Sequence, residues 1–376
     1  MKAQKSKFAL LLVSIQLMVI LTASATVEQY TKNLHQDYDA DQNTLLIIQN
    51  KFGNVNINNW DKNQVSIDVI IKIDHKDEER AKELLNYINV EFSKEGNTLK
   101  AITTIDEKFN KGFSWSDNNK EFSINFEVRI PKNIQLNIEN KYGDVFINEI
   151  IGHAILSVKY GNLKANKIIR DNTKPLSEIY LAYSNGTIEE CEWLKLTLKY
   201  SKLEVTKSKA LIAVTKYSKL YVDLASSIVS ESKYDNYKIG KVVNFVTTAA
   251  YTDFKFIEIT RKLEVENRYG GINVEKMPSD FEKIDIQNEY GNVKIGIEAT
   301  ASYHLNGIAK YGDIEYPDNG RISRIKETTE TTVNGTVGSN AETKSVVEIQ
   351  TKYGSVDLTN SRGNSSDDEE DDEDED

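Results

Sequence analysis

Cysteine is nearly missing from the 376 residues: Cys191 stands alone, so no intramolecular disulfide can form and the fold has to be held by its core. Histidine is almost as scarce. His35, His75, His153 and His304 are scattered, and none has a partner at zinc-ligand spacing. There is no Gly-x-Ser-x-Gly elbow, no phosphate-binding glycine loop and no His-Glu-x-x-His pair, so no catalytic residue, metal ligand or cofactor is assigned. Clustered positive charge is lacking too. The net charge is −11, but the last ten residues, Asp367 to Asp376, are all acidic, and without them it is −1. Such a body has no basic footprint to neutralise phosphates, and nucleic acid is not an expected partner. The acidic block repels itself, which predicts a disordered tail over 359–376.

One long apolar run is present, from Phe8 to Leu21, behind a Lys-rich start and ahead of Ala23-Ser24-Ala25. It is too short to span a bilayer and reads as a signal peptide over 1–25, cleaved after Ala25. No later stretch is apolar enough to span. The chain is therefore expected to be exported, to periplasm, cell surface or medium, and not to be an integral membrane protein after cleavage.

What is abundant is a short motif: usually Lys, then an aromatic, a small or polar pair, and alternating apolar residues. Its aromatics are Phe52, Tyr142, Tyr160, Tyr183, Tyr200, Tyr217, Tyr234, Tyr251, Tyr269, Tyr290, Tyr311 and Tyr353. From Tyr142 to Tyr311 the steps are 18, 23, 17, 17, 17, 17, 18, 21 and 21. Apolar residues recur with period two on both sides of the aromatic, six and four before it and three and five after it, which predicts two strands per repeat. The inward parity shifts between them. A corner at the Gly-Asn, Gly-Asp or Ser-Lys pair, using the positive φ that Gly and Asn tolerate, accounts for the shift. One repeat buries too little to stand alone, so equivalent residues must stack on the next repeat. The expectation is an all-β, single-stranded parallel β-helix of about 17–18 residues per rung.

In that register the aromatics form a structural ladder, and Asn50, Asn140, Asn267 and Asn288 a second column on the same inward parity. Asn54, Asp144, Asn162, Asn185, Asn236, Asp253, Asn292 and Asp313 form a third, explained by turn chemistry. The lysines before the aromatic, among them Lys141, Lys159, Lys199, Lys216 and Lys233, face outward. They are either an anion-binding stripe for an acidic glycan or a solubility device on an exposed sheet.

The repeat is interrupted between Phe52 and Tyr142. There the spacing of Ala81, Leu84, Leu85 and Ile88 predicts a helix over 77–89 with Asp74 as its N-cap. Residues 26–135 are read as a first rung plus a cap or insertion, 136–358 as the β-helix repeats, and 318–345 as a loop insertion rich in Thr, Glu, Asn and Gly.

Leu46 to Ile57 followed by Trp60, and Val128 to Asn133 leading into Ile138 to Val145, resemble the putative-adhesin family of exported bacterial β-helical domains of unknown function. The likeness covers about residues 44 to 358. It implies a right-handed helix and offers no catalytic residues to transfer. The expected function is a non-catalytic envelope or surface module, binding or structural and adhesive in character, with a surface glycan or envelope protein as partner. The alternatives are a carbohydrate-active β-helix enzyme, marked by carboxylates clustered on adjacent rungs, and a periplasmic envelope-stress or regulatory component.

Overall fold

The computed structural model describes residues 28–113 and 121–361, so the segment expected to be a signal peptide and the acidic block lie outside the described residues, while Thr359 and Asn360 of the expected tail belong to the strand Val356–Asn360. Within them are twenty-six strands and two short helices. From Gln135 onward the rungs stack as parallel strands in register, leucine on leucine and lysine on lysine: Leu194, Leu211 and Ile228 form one column, and Leu203 and Leu220 lie side by side in another. Strand pairing sets equivalent atoms about 4.8 Å apart along the axis. Most inward columns are therefore apolar files, in which Leu46, Ile57, Leu136, Leu203, Ile228 and Leu263 are fully buried, while one is largely polar and holds Asn140, Thr215, Ser232 and Asn267.

Inward parity in fact shifts at three places per rung rather than one. In the strand Lys202–Lys216 the buried residues are Leu203 and Val205, then Ser208 and Ala210, then Leu211, Ala213 and Thr215. Three inward runs surround the core, separated by Thr206-Lys207, by the Ala210-Leu211 step and by the aromatic. Cys191 belongs to the middle run, in register with Ser208 and Ile168.

Both ends change from parallel to antiparallel pairing, which covers the open strand edges of the stack. At the N-terminal end Glu28–Asp39 pairs with Gln64–His75, which pairs with Phe122–Ile130, all antiparallel. The helix is Glu78–Asn86, and its cap is Asp77, whose side chain accepts from Arg80 N, rather than Asp74. Leu84 and Leu85 bury against this end. At the C-terminal end the segment expected to be a loop contains a hairpin, Arg321–Lys326 and Glu330–Val337, with the second strand antiparallel to Tyr303–Lys310. Thr331, Val333 and Val337 are buried on alternate positions, so a segment that is polar by composition still has a strand's inner face.

Spatial order also departs from chain order. Val346–Lys352 lies between Lys283–Glu289 and Tyr303–Lys310, so the last repeat is inserted into the stack rather than added to its end. Similarly, Leu45–Lys51 lies between Thr98–Ile105 and Gln135–Lys141.

Candidate functional site

All twelve motif aromatics fall in one column. Their rings stack from Phe52 on Tyr142 at 5.2 Å to Tyr353 on Tyr311 at 4.8 Å, with Tyr353 also on Tyr290 at 4.9 Å. The column is not on the inward parity. Each of its tyrosines is 36–56% exposed, and all twelve residues carry a left-handed backbone with φ between 50° and 67°. The corner's positive φ thus belongs to the aromatic and not to the glycine after it. A left-handed non-glycine residue costs about 1–3 kcal/mol, and each stacked pair returns about 0.5–1.5 kcal/mol. The conformation turns the ring outward while its N–H still donates to the neighbouring rung, as Tyr200 N does to Lys216 O at 3.0 Å. Ring faces are occupied by neighbours, so the ladder offers solvent its edges. At its N-terminal end Phe52 meets Phe122 at 5.0 Å, and Phe122 meets Phe109 and Phe113.

The residue after the aromatic comes in two chemistries. Where it is Gly, the neighbouring backbone approaches closely: a Cβ on Gly143 would lie 2.0 Å from Gly53 O. In four of these corners the buried Asn column supplies the cross-rung bonds. Asn140 Nδ2 donates to Gly53 O and Gly143 O, and Asn288 Nδ2 to Gly270 O and Gly291 O. In five consecutive middle rungs the residue is Ser184, Ser201, Ser218, Asp235 or Thr252, and side-chain oxygens do the linking. Ser201 Oγ donates to Lys199 O and accepts from Ser184 N, and Asp235 Oδ1 accepts from Ser218 N at 2.6 Å. The Asp235 carboxylate also receives Thr215 and Ser232 hydroxyls. Burial pushes the neighbouring Tyr237 phenol up to about 12 and the Cys191 thiol up to about 11, so neither ionises at neutral pH.

The outer Asn/Asp column staples rungs as well: Asp144 N donates to Asn54 Oδ1, Asn162 N to Asp144 Oδ1 and Gly271 N to Asp253 Oδ1. Among the described residues no group of three or more His, Cys, Asp and Glu side chains is placed to hold a metal ion.

The lysine column lies beside the ladder. Lys51, Lys141 and Lys159 are in register, then Ala182 intervenes, then Lys199, Lys216 and Lys233, then Ala250. Several ammonium groups lie over rings, Lys141 over Tyr142 at 4.9 Å and Lys216 over Tyr217 at 5.3 Å. Lys159 is 4.0 Å from Glu139. The sequence placed this column correctly on the outer face but did not show the ring contacts, which follow from the aromatic's outward turn.

Stacked parallel rungs, an exposed aromatic file and side-chain staples between corners define a β-solenoid repeat protein. The chain belongs to the Toastrack DUF4097 family, whose profile matches residues 39–359. Similar solved structures include a putative cell adhesion protein from Clostridium sporogenes, with 12% identity, coverage of 88% of this chain and 100% of that one, and a TM-score of 0.20. A putative adhesin from Bacteroides fragilis has 10% identity, 87% and 97% coverage and a TM-score of 0.34. A putative lipid binding protein from Parabacteroides distasonis has 14% identity, 64% and 96% coverage and a TM-score of 0.36. No curated protein matches the chain. No helix among the described residues is long and apolar enough to cross a membrane.

Proposed function

We propose that this protein is a non-catalytic binding module of the cell envelope or surface, exported by its N-terminal segment, with an acidic glycan or envelope polymer as partner. In this reading the winding is right-handed, as the family resemblance implies. The observation that carries it is the lysine column. In-register ammonium groups repel one another, and an anionic partner relieves that repulsion along a whole file at once. Several of the lysines lie against the tyrosine file, Lys216 Nζ 5.3 Å from the Tyr217 ring centre and Lys233 Nζ 5.4 Å from that of Tyr234.

The test is binding of residues 26–376 to an array of glycans and envelope polymers at low and high salt. Saturable binding to acidic polymers that weakens with salt supports the module. Absence of binding to every polymer overturns the polymer reading and leaves a scaffold that works through protein contacts.

A further inference from the structure

We propose that the middle rungs hold a linear acidic glycan lying parallel to the solenoid axis, in the groove formed by the lysines 199, 216 and 233 and the column of Thr197, Val214, Glu231 and Thr248 beside them, with an aliphatic rail beyond. This rests on the binding-module reading and gives it a place, a direction and a ligand class.

Three columns run side by side on the outer face of these rungs. Nearest the corner are Lys199, Lys216 and Lys233, in register and bounded by Ala182 and Ala250. Two residues back are Thr197, Val214, Glu231 and Thr248, and two further back Ile212, Val229 and Val246. Val214 and Val229 are each 45% exposed and Ile212 37%, an unusual concentration of aliphatic surface on a face open to solvent. Along the first two of these columns runs a concavity of about 490 Å³ that extends over four rungs, lined among others by Thr197, Val214, Glu231 and Thr248 and by Lys199, Lys216 and Lys233, with the Ile212 column beyond its edge.

The geometry selects the ligand. Cations recur once per strand spacing, about 4.8 Å, in a straight file, so three of them span about 10 Å. A single small anion would engage one lysine and leave the other two repelling each other. A membrane surface would call for cations spread over a plane, whereas here the unpaired positive charge follows one column, with Glu231 beside it and Lys195 of the rail column held by Glu178 at 3.3 Å. A chain of acidic sugars advances by about one strand spacing per residue and offers one anion per residue. Its sugar C–H faces suit Val214 in the groove and the aliphatic rail beyond it, and its hydroxyls suit Thr197 and Thr248.

The experiment is titration of the full mature chain with oligogalacturonates, alginate oligomers and heparin fragments of two to ten residues, with neutral malto-oligosaccharides and phosphatidylserine vesicles alongside. The expected result is affinity for at least one acidic series that climbs with length until the oligomer spans the three lysines and then levels off. Lys199→Gln/Lys216→Gln/Lys233→Gln should weaken it on the order of tenfold to hundredfold, and Val214→Asn should weaken it without changing its salt dependence. The exposed Lys238→Gln/Lys255→Gln/Lys294→Gln triple, on another face, should leave it unchanged. Equal losses from both triples, a flat length series, or preference for vesicles overturns the groove while a polymer hit on the array keeps the module. Failure of every acidic series in both experiments overturns both.

Discussion

Tyr200 has a left-handed backbone between two rings, 4.9 Å from Tyr183 and 4.8 Å from Tyr217. Tyr200→Ala removes both stacks and keeps the strained φ, for a loss of roughly 1–3 kcal/mol. Tyr200→Gly removes the stacks and the strain together, so it should be less damaging than Ala by about 1 kcal/mol. That inverts the ordinary ranking in a strand, and urea denaturation of both variants measures it; a Gly variant less stable than the Ala variant would contradict the assigned corner. The glycines have a different job. Gly143→Ala drives a methyl into the Gly53 carbonyl and should cost about 3 kcal/mol, whereas a Cβ on Gly271 meets nothing closer than 3.6 Å and Gly271→Ala should be nearly neutral. These roles could not be read from the motif alone. A Gly after an aromatic suggests positive φ by general tendency, while the need for a bare Cα arises from the neighbouring rung's carbonyl, which no local pattern shows.

At the scale of elements, the outermost strand Glu28–Asp39 is pinned by a small ionic cluster. His35 Nδ1 is 2.6 Å from Asp68 Oδ1 and Nε2 is 3.3 Å from Asp37 Oδ2, with Arg129 3.0 Å from Asp68 and Glu127 in register with it. The Asp68 and then the Asp37 carboxylate raise the imidazole above its ordinary value, while the Ser66 hydroxyl and then His35 lower the Asp37 carboxyl. The His35 contribution is complete below about pH 6.5 and is lost as pH rises through its folded value. That of Asp37 is complete above about 3.9 and is lost as pH falls. Hydrogen-exchange protection of this strand, corrected for intrinsic rates, should therefore be greatest between those limits and decline toward pH 9, and His35→Gln should abolish the alkaline decline. A wild-type strand equally protected at pH 6 and pH 9 would refute it. The repeats themselves were plain in the sequence because their apolar period is strict. The C-terminal hairpin was not, since Thr331, Val333 and Val337 are spaced among Glu, Asn and Gly and the eye takes composition before alternation. The helix over 78–86 was visible from its apolar face, though its cap was placed three residues early.

For the whole molecule, stability is expected to add rung by rung. Tyr183, Tyr200, Tyr217, Tyr234 and Tyr251 are 17 residues apart, so deleting 201–217 joins equivalent positions and keeps every column in register. The shortened chain should unfold cooperatively, with a maximum dimension by solution scattering reduced by about 4.8 Å. Deleting 201–208 instead brings unlike positions together and should abolish the strand circular-dichroism signal or the cooperative transition. Identical behaviour of the two deletions would rule out the stacked-rung account.

The inserted last repeat gives the molecule a sense of completeness. A chain that folds from its N-terminus onward can wind its early rungs first, but Lys283–Glu289 and Tyr303–Lys310 have to wait with a vacant slot between them until Val346–Lys352 arrives. Finishing the polypeptide is then a condition for closing that end, much as a zip fastens only once its slider has travelled the full length. A chain cut short before residue 346 would present two bare strand edges, the kind of surface that proteases and chaperones read as unfinished work.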